Sequence, residues 1–178
     1  MLDPTAFSDP SSRLEAAFRD IEGKMRGLAF VNPALRVEAV GFAPWRSYWL
    51  GVMVTPWSMN LLLLPREPGV WRPLPVGEKR RYAFPAGSYD FVSARDAAIG
   101  DYFACSLFSP MLEFADHATA RTTAALARAA LFDATHAETD ERRNGDGERG
   151  PIAELAAAIE TPLSRRDLLH GRFRGSER

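Results

Sequence analysis

The stretch Gly51–Pro65, "GVMVTPWSMNLLLLP", places two apolar runs on either side of a Thr-Pro-Trp-Ser break. Both runs are short and bounded by Gly or Pro, which is typical of β-strands. Proline supplies the fixed φ of the second position of a tight turn, so Thr55–Ser58 is predicted to close a hairpin. Trp57 then lies at the hairpin tip, where it either folds back over the apolar edge or is presented to a partner, and sequence periodicity does not distinguish the two.

Further short apolar segments on both sides of this hairpin are also predicted strands. The full predicted set is 36–42, 48–55, 59–65, 81–85, 87–94 and 101–108. Links of roughly three to six residues are too short for crossover helices, so successive strands are expected to pair antiparallel as a meander. The proline-rich connection Pro65–Gly77, which contains Trp71, is expected to run extended over the surface.

A helix is predicted over Ser12–Arg26, before the first strand. Ser12 and Glu15 have capping-box spacing, and apolar residues follow with helical periodicity at Leu14, Phe18, Ile21 and Met25. Gly27 is suited to end the helix in a left-handed conformation, and the Asn32-Pro33 pair opposes its continuation.

A second helix is predicted from Leu112 to about His136, where the sequence becomes alanine-rich. It is expected to cover the sheet, with Arg121 and Arg128 on a solvated stripe. Its predicted inward residues are Phe114, Ala118, Ala125, Leu126, Ala129 and Leu131. The resulting fold class is α+β, an antiparallel meander sheet packed by two helices.

The remaining segments surround one α+β domain at 12–136. Residues 1–11 are expected to be a loose N-terminus. Residues 137–150, "AETDERRNGDGERG", have no large apolar side chain and are predicted to form a disordered linker. Residues 151–178 are expected to form a helical, basic C-terminal tail.

Composition excludes several classes of protein. The 178 residues are 46% hydrophobic and 25% charged, which suits one globular domain, and the formal net charge of -1 argues against nucleic-acid binding. A single cysteine, Cys105, excludes an internal disulfide and a cysteine-only metal cage. No apolar run approaches about 18 residues and no secretory leader is evident, so we expect a cytoplasmic protein without direct membrane insertion.

The residues that could carry chemistry do not form a recognisable site. His117, His136 and His170 have no metal-ligand spacing and are expected to be solvated helix residues. Phosphate-binding glycine loops and the GxSxG motif are absent. Cys105 is expected to be a buried packing residue beside Phe103 and Leu107. We therefore expect no catalytic residue, no metal and no cofactor.

Two junctions marked by Ser and Pro carry large apolar side chains, which predicts an adaptable recognition surface. The candidate partner-binding residues are Pro56, Trp57, Ser58, Met59, Phe108, Ser109, Pro110 and Met111. Glu113 and Asp116 follow the second junction and are candidates for an acidic rim that selects an arginine-bearing peptide. Both are also expected in the first turn of the second helix, where negative charge is favourable.

At these residues the sequence resembles the HybE/HupJ family of [NiFe]-hydrogenase assembly chaperones. The resemblance runs through the first helix, "GVMVTPWSMNLLLLP", "FPAGSYDFV", "YFACSLFSPM" and "PLSRRDLLHGRF". It implies a cytoplasmic, non-enzymatic accessory protein for a membrane-bound uptake hydrogenase. Its implied partner is a precursor of the large or small subunit, held until the metal centre is complete and export is appropriate. Self-association stays open.

The tail motif "SRRDLL" is similar to the core of a twin-arginine export signal. Its residues Arg165, Arg166, Leu168 and Leu169 either form a basic amphipathic helix or imitate a precursor signal at the chaperone's own peptide site. The alternative function is a small-molecule-binding or enzymatic domain, with Cys105, Tyr89 and Tyr102 near a pocket between sheet and helices.

Overall fold

The computed structural model describes residues 7–70, 72 and 74–135. In these residues the chain forms two helices and six strands: α1 Ser11–Met25, β1 Glu38–Trp45, β2 Tyr48–Val54, β3 Met59–Pro65, β4 Lys79–Phe84, β5 Gly87–Asp96, β6 Gly100–Phe108 and α2 His117–Ala130. The predicted α+β class with an antiparallel sheet is confirmed. Neither of these helices is long and apolar enough to cross a membrane.

The strand order is β1-β2-β3-β6-β5-β4, so the sheet consists of two antiparallel meanders joined through β3 and β6. Strands joined by short links pair as predicted, whereas β3, which precedes the long connection, pairs with β6 rather than with β4. Alternate residues of β3 pack on opposite faces of the sheet, and a strand buried on both faces is favoured between two neighbours. β4 begins Lys79-Arg80-Arg81, and charges of this kind suit an edge strand.

The two helices pack on opposite faces of the sheet. Leu14 and Phe18 of α1 join a cluster that contains Leu62 and Leu64. On the other face Ala120 and Ala124 of α2 join the larger cluster, which contains Leu50, Val52, Val54, Leu61 and Leu63. Burial on both faces explains why β2 and β3 are continuous apolar runs rather than alternating ones.

The sheet curls so that its two edge strands meet across the α2 face. The ring of Trp45 at the end of β1 stacks on that of Phe84 in β4, with centroids 4.3 Å apart. Tyr48 and Tyr82 meet edge to face at 5.6 Å. These aromatic contacts enclose the part of the core that α2 does not cover.

The predicted first helix is confirmed to within one residue at each end, but the predicted capping box is wrong. Asp9 Oδ1 accepts hydrogen bonds from the Ser11 N–H at 2.9 Å and the Ser11 hydroxyl at 2.7 Å. Glu15 instead binds outside the cap: its Oε1 accepts from the Ala39 N–H of edge strand β1 at 3.1 Å. The chain leaves the helix at Arg26, with φ -58° and ψ 131°, and Gly27 follows in the predicted left-handed conformation with φ 86°.

The second helix begins later than predicted, at His117, and turns a different face to the core. Leu131 and Phe114 are buried as expected, whereas Ala118, Ala125, Leu126 and Ala129 are exposed; the buried helix residues are His117, Ala120, Thr123, Ala124 and Ala127. The buried face consists of small or polar residues while the large apolar Leu126 is exposed, so the apolar character of single residues does not indicate which face packs. Arg121 is exposed as predicted, but Arg128 is half-buried and its Nε donates to the Leu50 carbonyl at 3.4 Å.

Several predictions lie outside the described residues. They concern Trp71, His136, His170, the linker 137–150 and the tail 151–178 with Arg165, Arg166, Leu168 and Leu169. Residues 1–6 of the N-terminus 1–11, which was predicted to be loose, also lie outside the described residues.

Candidate partner-binding site

The predicted hairpin turn Thr55–Ser58 joins β2 to β3. The Thr55 N–H donates to the Ser58 carbonyl at 2.9 Å, and the Ser58 N–H donates to Thr55 Oγ1 at 2.9 Å. The Thr55 hydroxyl donates to the Ser58 carbonyl at 2.8 Å. Because the Thr55 side chain is fully buried, these bonds satisfy polar groups that water cannot reach.

Trp57 folds back rather than projecting freely from the hairpin. Its ring is half-buried and packs against the core cluster on the α1 face, and Pro56 beside it is buried. The turn is therefore part of the packed body of the protein, with one side of the indole still reaching solvent.

The second junction lies directly beside the first, because Met59 at the start of β3 is in register with Phe108 at the end of β6. Phe108 and Phe114 pack edge to face with centroids 5.3 Å apart. Ser109 and Pro110, joined by a cis peptide bond, are exposed, whereas Met111 is fully buried. The sheet pairing thus brings together two segments about 50 residues apart in the chain.

Asn32 joins these two junctions and is 6% exposed. Its backbone N–H donates to the Pro56 carbonyl at 2.8 Å. Its side-chain Nδ2 donates to the carbonyls of Met111 at 2.9 Å and Phe114 at 2.8 Å. Its Oδ1 accepts from the Ala34 N–H at 2.9 Å.

Sequence reasoning missed this role, because it read Asn32-Pro33 only as a signal that the helix had ended. A buried polar residue with all its groups paired holds its surroundings in one arrangement. The sequence signal for this role is that Asn32 lies in the apolar loop between α1 and β1. Its side chain has both donors and an acceptor, so it can bond to several backbone groups there.

Exposed apolar side chains flank the residues that Asn32 holds. Phe30, 44% exposed, lies two residues before Asn32, and Leu28, 46% exposed, lies two residues earlier. Leu112, 55% exposed, follows Met111 directly. We call the set Leu28, Phe30, Trp57, Ser109, Pro110 and Leu112 the junction surface.

An ionic network fixes the start of α2 next to the junction surface. Glu38 of β1 binds His117 Nε2 at 2.5 Å and Arg121 Nε at 2.8 Å, and Arg36 Nη2 lies 3.6 Å away. Burial opposes ionisation of Glu38, but the hydrogen bond from His117 and the charges of Arg121 and Arg36 outweigh it, so the pKa of Glu38 is lowered.

The prediction that His117 is a solvated helix residue is wrong. Its side chain is 7% exposed, and its Nδ1 accepts a hydrogen bond from the Arg36 N–H at 3.3 Å. With Nδ1 as an acceptor, Nε2 carries the proton that is donated to Glu38. Residues 79 positions apart in the chain are thereby joined.

Residues 9–171 match the model of the family described as "[NiFe]-hydrogenase assembly, chaperone, HybE". The chain belongs to this family. Its members are hydrogenase assembly chaperones, which confirms the resemblance found in the sequence and the prediction that the chain is not an enzyme.

Individual relatives agree with this assignment. The chain is 42% identical over 147 residues to the "Probable rubredoxin HupJ" of Rhodobacter capsulatus, a match that covers 82% of this chain and 52% of that relative. The chain thus spans about half the length of that relative. It is 39% identical over 159 residues to the "Hydrogenase expression/formation protein HupJ" of Bradyrhizobium diazoefficiens, covering 89% of this chain and 85% of that one.

The fold has a solved counterpart in the solution structure of HybE from Escherichia coli. The two superpose with a TM-score of 0.57 at 22% identity, covering 83% of this chain and 94% of the other. This likeness confirms the fold.

Within this HybE-family fold, the candidate residues divide into an outer and an inner group. Ser109, Pro110 and Glu113 are exposed, and Trp57 and Asp116 are partly so. Pro56, Ser58, Met59, Phe108 and Met111 are buried, so in this conformation they support the surface from below.

The two acidic candidates have separate positions. Asp116 caps α2, with its Oδ1 accepting from the Thr119 N–H at 2.8 Å. Glu113 precedes the helix rather than lying in its first turn, so the predicted interaction of Glu113 with the helix dipole is wrong.

The residues proposed for the alternative function are not brought together. Cys105 and Tyr89 pack on the α2 face of the sheet, whereas Tyr102 packs on the α1 face. Burial, with a smaller effect of Asp90, raises the pKa of the Cys105 thiol to about 11, so it is protonated at neutral pH, as expected of a packing cysteine.

A cavity of about 300 Å³ is lined by none of these three residues, although Asp101, which directly precedes Tyr102, is part of its wall. Its walls include Phe7, Arg13, Leu64, Val70 and Ile99. Within residues 7–135, no group of His, Cys, Asp and Glu side chains is arranged to hold a metal ion.

Proposed function

We propose that the junction surface holds an immature [NiFe]-hydrogenase subunit in the cytoplasm until its metal centre is complete and export can follow. The client is a large- or small-subunit precursor of a membrane-bound uptake hydrogenase. The proposal is supported by family membership and by the exposed apolar residues around Asn32.

The observation that carries the proposal is the set of hydrogen bonds from Asn32 to Pro56, Met111 and Phe114. It holds the loop with Leu28 and Phe30 against the junction with Leu112, so the apolar side chains are presented on a stable support. Pre-organisation of this kind lowers the entropy that binding would otherwise cost. Each well-buried apolar anchor contributes about 1.5–3 kcal/mol, so a few of them suffice for a client that must later be released.

Release follows from differential binding. A client segment that is exposed before maturation and buried afterwards binds tightly in the first state and weakly in the second. No chemical step by the chaperone is needed.

The acidic rim gives this site a preference among client segments. Glu113 lies one residue beyond Leu112 and is exposed, so an arginine next to an apolar segment finds an opposite charge there. The twin-arginine signal of a small-subunit precursor has this chemistry. Asp116 adds negative charge at the same edge while it caps α2.

The C-terminal motif "SRRDLL" has the same chemistry as such a signal, and we propose that it competes for the junction surface, in the same molecule or in a neighbouring copy. Removal of 163–178 should then strengthen binding of a twin-arginine signal peptide in a calorimetric titration. Unchanged or weaker affinity would contradict the competition.

The surface itself is tested by a matched pair of leucines. Leu112→Ser should weaken capture of a purified hydrogenase subunit precursor about tenfold, because it removes a central apolar anchor. Leu126→Ser, at an exposed leucine of α2 outside the surface, should not. Equal capture by both variants, with both folded by circular dichroism, would refute the assignment.

A further inference from the structure

We propose that the end of the sheet opposite the junction surface binds an acidic, extended peptide segment through Arg46 and Arg66, two arginines stacked on tryptophans. Arg46 lies in the β1–β2 hairpin loop, at the far end of β2 from the Thr55–Ser58 turn. The proposal is independent of the proposed function, because it concerns other residues and another class of ligand.

Arg46 occupies a backbone position at which arginine is unfavourable. Trp45 pairs with Tyr48, so Arg46 and Ser47 form a two-residue hairpin loop, and Arg46 has φ 53°. Glycine or asparagine is preferred at positive φ in such loops. A glycine would close the hairpin without strain. The strain at Arg46 therefore indicates a role for the arginine side chain at this position.

Both guanidinium groups are held in place by aromatic rings and carbonyl oxygens. Arg46 Cζ lies 4.6 Å from the Trp45 ring centroid, and Arg46 Nη2 donates to the Ala83 carbonyl at 3.4 Å. Arg66 Cζ lies 5.4 Å from the Trp49 ring centroid, and Arg66 Nη1 donates to the Arg46 carbonyl at 3.3 Å. Guanidinium groups fixed in this way lose little entropy when they bind an anion.

Carboxylates do not neutralise this pair within residues 7–135. Arginines elsewhere in that part of the chain, such as Arg81 and Arg95, form ion pairs with Asp90 and Asp101, but neither Arg46 nor Arg66 has a carboxylate within 4.0 Å. Arg80 stacks on Phe103, which packs on the α2 face of the sheet as Trp45 does, whereas Trp49 beneath Arg66 packs on the α1 face. Glu67, next to Arg66, is exposed and only partly offsets the charge of the pair.

The chemistry of the site selects carboxylates. The planar donor fork of arginine matches a carboxylate, and two forks on one hairpin end suit an extended segment with more than one acidic side chain. Nucleic acid is disfavoured, because the chain as a whole has a formal net charge of -1 and offers no extended positive field.

The test uses the full chain and a labelled octaglutamate peptide, titrated by fluorescence anisotropy at about 0.05 M salt, with oligothymidylate and octalysine as comparison ligands. Arg46→Gly and Arg66→Gln should each weaken octaglutamate binding about three- to fivefold, which is the scale of an exposed ion pair. Arg19→Gln, an exposed arginine of α1 that changes net charge equally, should not alter it. Salt at about 0.3 M should weaken binding strongly.

Arg46→Gly also separates binding from folding. The glycine relieves the positive-φ strain, so the melting temperature should stay constant or rise while octaglutamate affinity falls. The proposal is overturned if Arg19→Gln weakens octaglutamate binding as much as Arg46→Gly does. Unchanged affinity in Arg46→Gly or tighter binding of oligothymidylate than of octaglutamate also overturns it.

Discussion

Replacement of Asn32 by alanine should destabilise the whole domain, because Asn32 joins three separate segments. The substitution removes the side-chain hydrogen bonds with Met111, Phe114 and Ala34, and it leaves two buried carbonyl groups without their donor. At about 0.5–1.5 kcal/mol for each net hydrogen bond, the expected loss is about 2–4 kcal/mol. For a chain of this size, that lowers the melting temperature by roughly 4–16 °C.

Two further variants make this prediction sharper. Asn32→Asp keeps the shape and the acceptor for Ala34 but turns a carboxylate oxygen toward the Met111 and Phe114 carbonyls, so it should cost more than Asn32→Ala at neutral pH. Asn60→Ala is the matched control, because Asn60 is a half-buried asparagine whose Nδ2 donates to Ser58 Oγ at 3.0 Å. Its expected cost is about 0.5–1.5 kcal/mol.

Urea unfolding followed by tryptophan fluorescence and by far-ultraviolet circular dichroism measures all three variants. A cost below about 1 kcal/mol for Asn32→Ala, or a milder effect of Asn32→Asp than of Asn32→Ala, would refute the role assigned to Asn32. Coincident transitions by the two probes establish that the domain unfolds as one unit.

Three other predictions follow from single contacts. Gly51→Ala places a Cβ 2.4 Å from the Phe42 ring, so it should lower the free energy of unfolding in urea by about 1–3 kcal/mol. The loss should be smaller in a Phe42→Ala background, and additive effects of the two substitutions would contradict this packing. Because the pKa of Glu38 lies below its ordinary value of 4.5 in the folded state, its ionisation stabilises the fold above that pH, and this contribution is lost as pH falls through the folded pKa. The stability difference between the native chain and Glu38→Gln should therefore shrink on acidification below about pH 4.5, and a constant difference would disprove the linkage. Trp57→Ala should lower both the free energy of unfolding and precursor capture, since the half-buried indole packs on the core and still reaches solvent; loss of capture with full stability would show that the packing is unimportant.

The strands could be predicted from the sequence because their signals are local. Met59–Pro65 was predicted with its observed bounds, and Tyr48–Thr55 with one extra residue, since Gly and Pro mark where each apolar run ends. The same reasoning located the turn between these strands and the two Ser/Pro junctions.

The packed face of α2 and the neighbours of β3 could not be predicted in this way. The packed face of α2 carries His117, small alanines and a threonine, whereas the large apolar Leu126 is exposed, so apolar size indicates the wrong face; the contact of His117 with Glu38 holds the start of the helix. β3 pairs with β6 because a doubly buried strand needs a neighbour on each side, a requirement of the whole sheet.

By itself, the sequence determined the α+β class, the approximate strands, the family and the segments that form the candidate site. Only the tertiary structure decided that Asn32 joins those segments, that Trp57 folds back and that Met59 and Met111 support the surface from within. The physical reason is distance along the chain. Propensity and periodicity describe interactions over a few residues, whereas Asn32 and Met111 are 79 positions apart and meet only when the sheet has formed.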